Sequence, residues 1–150
     1  MTRARLYKNV VASLQKFVND FRLEKMDPTT EYVSWDAHAQ IMELPSTDAI
    51  GLAGVGMSEE GKNEWEIVFG VAITTWEDPN LFRMTDLISD LFDRLAPETT
   101  LPVYDGDTGA VISWMVLTPP CAITPVGRHE VRAVQAIECR ALLNPGSTSA

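Results

Sequence analysis

The chain has 150 residues, of which 45% are hydrophobic and 22% charged, with a net charge of −9. That is enough apolar material for one buried core and too much for wholesale disorder. A strongly acidic overall balance argues against phosphate-driven nucleic-acid binding, which rests on clustered positive charge, and no apolar run approaches the ~20 residues that cross a bilayer. With two cysteines, and basic residues leading into an amphipathic segment after Met1, the expectation is a soluble protein made in a reducing cytoplasm.

Charge is unevenly placed. Residues 1–25 carry a surplus of four positive charges, residues 26–110 an excess of fourteen negative ones, and residues 111–150 are nearly balanced. A solvated acidic face is the plain reading of the middle block; complementarity between neighbouring subunits is the sharper one.

Leu6, Val10, Leu14, Phe17 and Phe21 recur at helical spacing, with Val11 and Val18 widening the stripe, and predict an amphipathic helix over residues 4–23. Asp27-Pro28-Thr29-Thr30 ends it. From Tyr32 to Ile41 apolar and polar residues alternate, which predicts a strand, and Pro45-Ser46-Thr47-Asp48 breaks it. Glycines 51, 54 and 56 make the next strand, residues 49–57, a weak or bulged one. Residues 58–63 read as a polar hairpin loop, followed by a central buried strand over residues 64–75.

Asp78-Pro79 then opens a second helix, residues 81–95, with a seam of Leu81, Met84, Ile88, Leu91 and Leu95. Residues 101–104 and 110–117 flank Asp105-Gly106-Asp107-Thr108-Gly109, a hairpin composition. Residues 121–126 continue the sheet, residues 131–142 form a long last strand, and residues 144–150 read as a flexible tail after a single domain spanning residues 1–143. The fold class expected is therefore α+β: a mixed or antiparallel sheet with two main amphipathic helices packed on one face.

No constellation in the chain reads as catalytic, cofactor-binding or metal-binding. Asp105, Asp107 and Thr108 lack the spaced ligand series of a calcium loop. Asp36 and His38, with His129 as a distant third member, could form an acid/base set, but same-face polar pairs are ordinary on a half-exposed strand and no nucleophile motif accompanies them. Cys121 and Cys139 read as buried or half-buried free thiols on neighbouring strands, since two cysteines without a histidine cluster do not make a zinc site. Gly51 to Gly56 has neither the lysine of a P-loop nor dinucleotide-fingerprint spacing. Trp35, Trp65, Trp76 and Trp114 lie in or beside strands, where packing is the usual role and anchoring an interface the rarer one.

This order of elements, with segments such as Leu101-Pro102-Val103-Tyr104-Asp105 and Ala122-Ile123-Thr124-Pro125-Val126, resembles the tail terminator proteins of long-tailed bacteriophages. The resemblance implies a structural virion protein with no reaction to perform. It would form a homo-hexameric ring on the tail tube, end polymerisation of the tube protein and present a surface to the head–tail connector, with DNA passing through the ring. The alternatives are a head-completion, neck or other tail-assembly protein, or a small oligomeric α+β enzyme. A ring of identical subunits needs two different patches that meet. Arg3, Arg5, Lys8 and Lys16 on the first helix and Asp86, Asp90 and Asp93 on the second are the candidate subunit interface. Glu59, Glu60, Lys62 and Asn63 are the candidate partner-contact loop, with residues 45–63 and 97–109 as the long segments available for binding.

Overall fold

The computed structural model describes residues 2–35, 47–129 and 132–145, apart from the side chains of residues 126–129. The elements run α1 (Arg3–Lys25), β1 (Val33–Ser34), β2 (Ala49–Gly61), β3 (Glu64–Trp76), a 3-10 turn (Pro79–Leu81), α2 (Phe82–Arg94), β4 (Thr100–Tyr104), β5 (Val111–His129) and β6 (Arg132–Leu143). The strands form one sheet in the order β1-β2-β3-β6-β5-β4, antiparallel except for the β1–β2 pair. The α+β architecture is that read from the sequence.

Why the helices lie where they do follows from their stripes. On α1, Leu6, Val10, Leu14, Val18 and Phe21 are buried; on α2, Met84, Leu87, Ile88 and Leu91 are. Both sets join one core with Ile67, Phe69, Val71 and Ile73 of β3 and Ile137, Cys139, Ala141 and Leu143 of β6. Period-two alternation puts these strand residues on a single face. Each fully buried side chain of this size contributes about 1.5–3 kcal/mol, so the shared core holds both helices on that face.

The opposite face is treated differently at its two ends. Near the C-terminal end of β3, Trp35, Ala49, Ala72 and Val134 form a second buried cluster, with Val33 and Ala53 packed on it. Near the N-terminal end of β3, in-register pairing places Glu66 beside Leu142, and Leu142 beside Val116. Leu142 is 49% and Val116 37% exposed. Among the described residues, one end of the back face is thus covered and the other is open.

Several expected boundaries shift. The strand expected at residues 32–41 is a strand only at Val33–Ser34 among the described residues, and Asp36, His38 and the rest of residues 36–46 lie outside them. The polar loop expected at residues 58–63 is a two-residue turn: β2 runs to Gly61 and β3 starts at Glu64, with Asn63 at φ 59°. Backbone pairing of Ser58 with Glu66 and Glu59 with Trp65 extends the ladder through residues that look loop-like by polarity alone. The segment 97–109 is likewise no free loop, since β4 occupies its middle. Asn144 belongs to the packed body, its carbonyl accepting from Ser113 Oγ at 3.1 Å; of the expected tail, residues 146–150 lie outside the described residues.

Candidate partner-docking surface

The open end of the back face gathers apolar groups around the β2–β3 turn. Trp65, Trp114, Val116 and Leu142 line a cleft of about 390 Å³, with Glu60 and Glu64 on its rim. Strand alternation dictates the placement of Trp114, Val116 and Leu142, whereas Trp65, in step with Ile67 on β3, packs on the core and reaches the cleft from that side. The core face takes Met115, Leu117, Ala141 and Leu143, so Trp114, Val116 and Leu142 must point the other way. Around the other side of Trp65 lies a second cleft of about 440 Å³, bounded by Thr2, Arg3, Leu6, Glu59, Asn63 and Pro145. Trp65 is common to the two, and on the second cleft Arg3 pairs with Glu59 at 2.9 Å while its guanidinium sits 6.0 Å from the Trp65 ring centre.

The candidate contact residues therefore converge on one end of the molecule, but not as a loop. Glu59 pairs with Trp65 near the end of β2, Glu60 sits in the irregularity between Glu59 and Gly61, and Lys62 and Asn63 make the tight turn itself. Glu60 accepts from Ser58 Oγ at 2.7 Å. Neither Glu60 nor Glu64 has a cationic partner within ion-pair distance among the described residues, so the rim is acidic. Glu66, behind it, is neutralised by Arg140 at 2.9 Å.

The charged candidate interface is largely engaged within the chain. Arg5 bridges Asp105 at 3.0 Å and Asp107 at 2.9 Å, and Lys16 pairs with Asp20 at 2.7 Å. Asp90 pairs with Lys25 and with Arg94, and Arg94 also holds Glu24 at 2.6 Å. These pairs tie the C-terminal turns of α1 and α2 together inside one molecule. Its electrostatics agree: hydrogen bonds from Arg94 and Lys25 hold Asp90 below the usual carboxylate range, and Glu24 and Asp90 keep Arg94 charged. Lys8, Asp86 and Asp93 are exposed and have no ion pair among the described residues.

The Asp105 loop is a turn, as its composition implies. Asp105 Oδ1 accepts from the amide of Asp107 at 2.8 Å, and Gly109 takes φ 73°. Asn9 Oδ1 accepts from Gly106 N at 3.1 Å and Ser13 Oγ accepts from Tyr104 N at 2.9 Å, pinning the hairpin to α1. Among the described residues, no group of three or more His, Cys, Asp or Glu side chains is placed to hold a metal ion. The sequence reading missed Trp114, Val116 and Leu142 as surface residues. The signal was present: in Trp114-Met115-Val116-Leu117 and Leu142-Leu143, adjacent apolar residues in a strand cannot all face one core.

Neither the protein-family models nor the curated proteins yield a match to this chain.

Proposed function

We propose that the chain is a bacteriophage tail terminator: a subunit of a homo-hexameric ring that caps the tail tube, stops its growth and presents a surface for the head connector. The observation that carries this reading is the uncovered apolar end of the sheet beside the β2–β3 turn, with Leu142 and Val116 exposed next to Trp114. Contiguous exposed apolar groups with a polar rim mark surfaces that another protein covers, and a ring subunit is covered on two different patches by its neighbours. In such a ring the acidic rim of Glu60 and Glu64 favours a basic patch on the neighbour or the tube protein, and the charge sets register and rate more than affinity.

The test is addition of the purified protein to polymerising tube subunits, with microscopy of tube ends. Length-arrested tubes bearing a terminal ring support the proposal. Overlong, bare-ended tubes refute it, and normal-length tails that fail to attach to heads in the protein's absence move it to the head-joining proteins.

A further inference from the structure

Cys121 and Cys139 lie on adjacent antiparallel strands with their sulfurs 3.1 Å apart. The pairing of β5 with β6 explains why they meet. Thr118 pairs with Arg140 and Ala122 with Glu138, so Pro119, Pro120 and Cys121 together face the single residue Cys139. The two extra residues of the bulge shift the register so that Cys121 falls opposite Cys139, and Cys121 packs half-buried against the core that contains Cys139. Regular alternation from Met115 and Leu117 already aims Cys121 at the core face. Residues directly opposite on paired strands have Cα atoms about 4.5–5.5 Å apart, within the span a disulfide bridges. The pair lies on the core face, three residues along β6 from Leu142 on the opposite face, so it stands apart from the docking surface.

We propose that Cys121 and Cys139 are a site of reversible thiol oxidation, closing to an intrachain disulfide when the protein meets a small-molecule disulfide such as oxidised glutathione. Cys121, the more accessible of the two, meets the oxidant. Its thiolate attacks one sulfur of the glutathione disulfide, that S–S bond breaks, and one glutathione thiolate leaves, giving a mixed disulfide on Cys121. Cys139 then loses its proton to solvent, and its thiolate attacks Cys121 Sγ and displaces the second glutathione thiolate. Two protein thiols are oxidised and one glutathione disulfide is reduced to two thiols. The order follows from the environment: burial, followed by the hydrogen bond with Cys121, pushes the Cys139 thiol well above its ordinary pKa, so it stays protonated until its neighbour is already activated.

The experiment incubates the reduced full chain with oxidised glutathione and divides the sample: one part is melted directly, and the other is quenched with acid, alkylated under denaturing conditions and weighed by mass spectrometry. The expected result is a single chain, not cross-linked to another, that has lost two hydrogens, carries no alkyl groups or glutathione, and melts several degrees higher, because the new bond closes the loop between Cys121 and Cys139. Cys139→Ala should instead trap glutathione on Cys121. Cys121→Ser, which leaves the buried thiol in place if the alanine variant fails to fold, should acquire neither glutathione nor an internal bond. Stable glutathionylation of the wild-type chain, disulfide-linked dimers, or two thiols that remain alkylatable would each overturn the proposal.

Discussion

Asp78 decides how the chain enters α2. Its carboxylate is buried and accepts from the amides of Arg83 at 3.0 Å and Met84 at 2.9 Å, reaching across the intervening 3-10 turn to the first turn of the helix. Burial works against its ionisation, but the amide hydrogen bonds and Arg83 outweigh it and hold its pKa below the ordinary value. A group depressed in this way stabilises the fold above its unfolded pKa near ~4, and the contribution is lost as pH falls through the folded value. Asp78→Ala should therefore cost about 1–2 kcal/mol at neutral pH, and thermal melts should show the gap to wild type closing in acid. Gly51 makes a steric demand instead. A Cβ there would stand 1.6 Å from the Trp35 carbonyl oxygen, on the stretch where Trp35 N donates to Ile50 O at 3.1 Å. Gly51→Ala should expel β1 from the sheet edge, seen as a red shift and quenching of tryptophan emission and a loss of more than about 2 kcal/mol.

At the scale of elements, the β2–β3 hairpin and the α1–α2 clasp are both set by a few residues. Asn63 tolerates φ 59° because its short polar side chain makes the left-handed region accessible. Asn63→Gly should preserve the melting temperature, whereas Asn63→Val should lower stability by about 1–2 kcal/mol. Shortening residues 58–63 would remove ladder pairs of β2, so point changes at Lys62 and Asn63 are the cleaner probe of this end. At the other end of α1, Arg94 ties Glu24 and Asp90 together and lies 5.0 Å from the Phe21 ring centre. These groups are partly exposed, so solvent screens them. Arg94→Ala should cost only about 0.5–1 kcal/mol, with faster amide exchange confined to the last turns of α1 and α2.

For the whole molecule, the asymmetry of the back face matters most. Trp35 covers one end, while Trp114, Val116 and Leu142 leave the other apolar and open. On the proposed ring, Val116→Glu with Leu142→Glu should leave the melting temperature within a few degrees and abolish the assembly seen by mass photometry. An intact ring in the double variant would remove this surface from the interface. Charge reversal of Asp86 and Asp93 tests the helix-2 face without touching Asp90, whose reversal would break the internal pairs with Lys25 and Arg94.

Local pattern was enough for both helices, the β3 core strand, the β4–β5 hairpin and the long last strand, because period and turn chemistry are properties of neighbours in sequence. The stripe from Leu6 to Phe21 and the alternation from Ile67 to Ile73 name their own buried faces. Polarity misled at residues 58–61, where backbone pairing to β3 wins over side-chain character. What only the tertiary structure decided concerns residues distant in sequence: that Arg5 is neutralised by Asp105 and Asp107, that Asp90 belongs to Lys25, that the bulge in β5 brings Cys121 to Cys139, and which end of the sheet stays uncovered. Those outcomes depend on strand order and register, which long-range packing selects and which no local window of sequence contains.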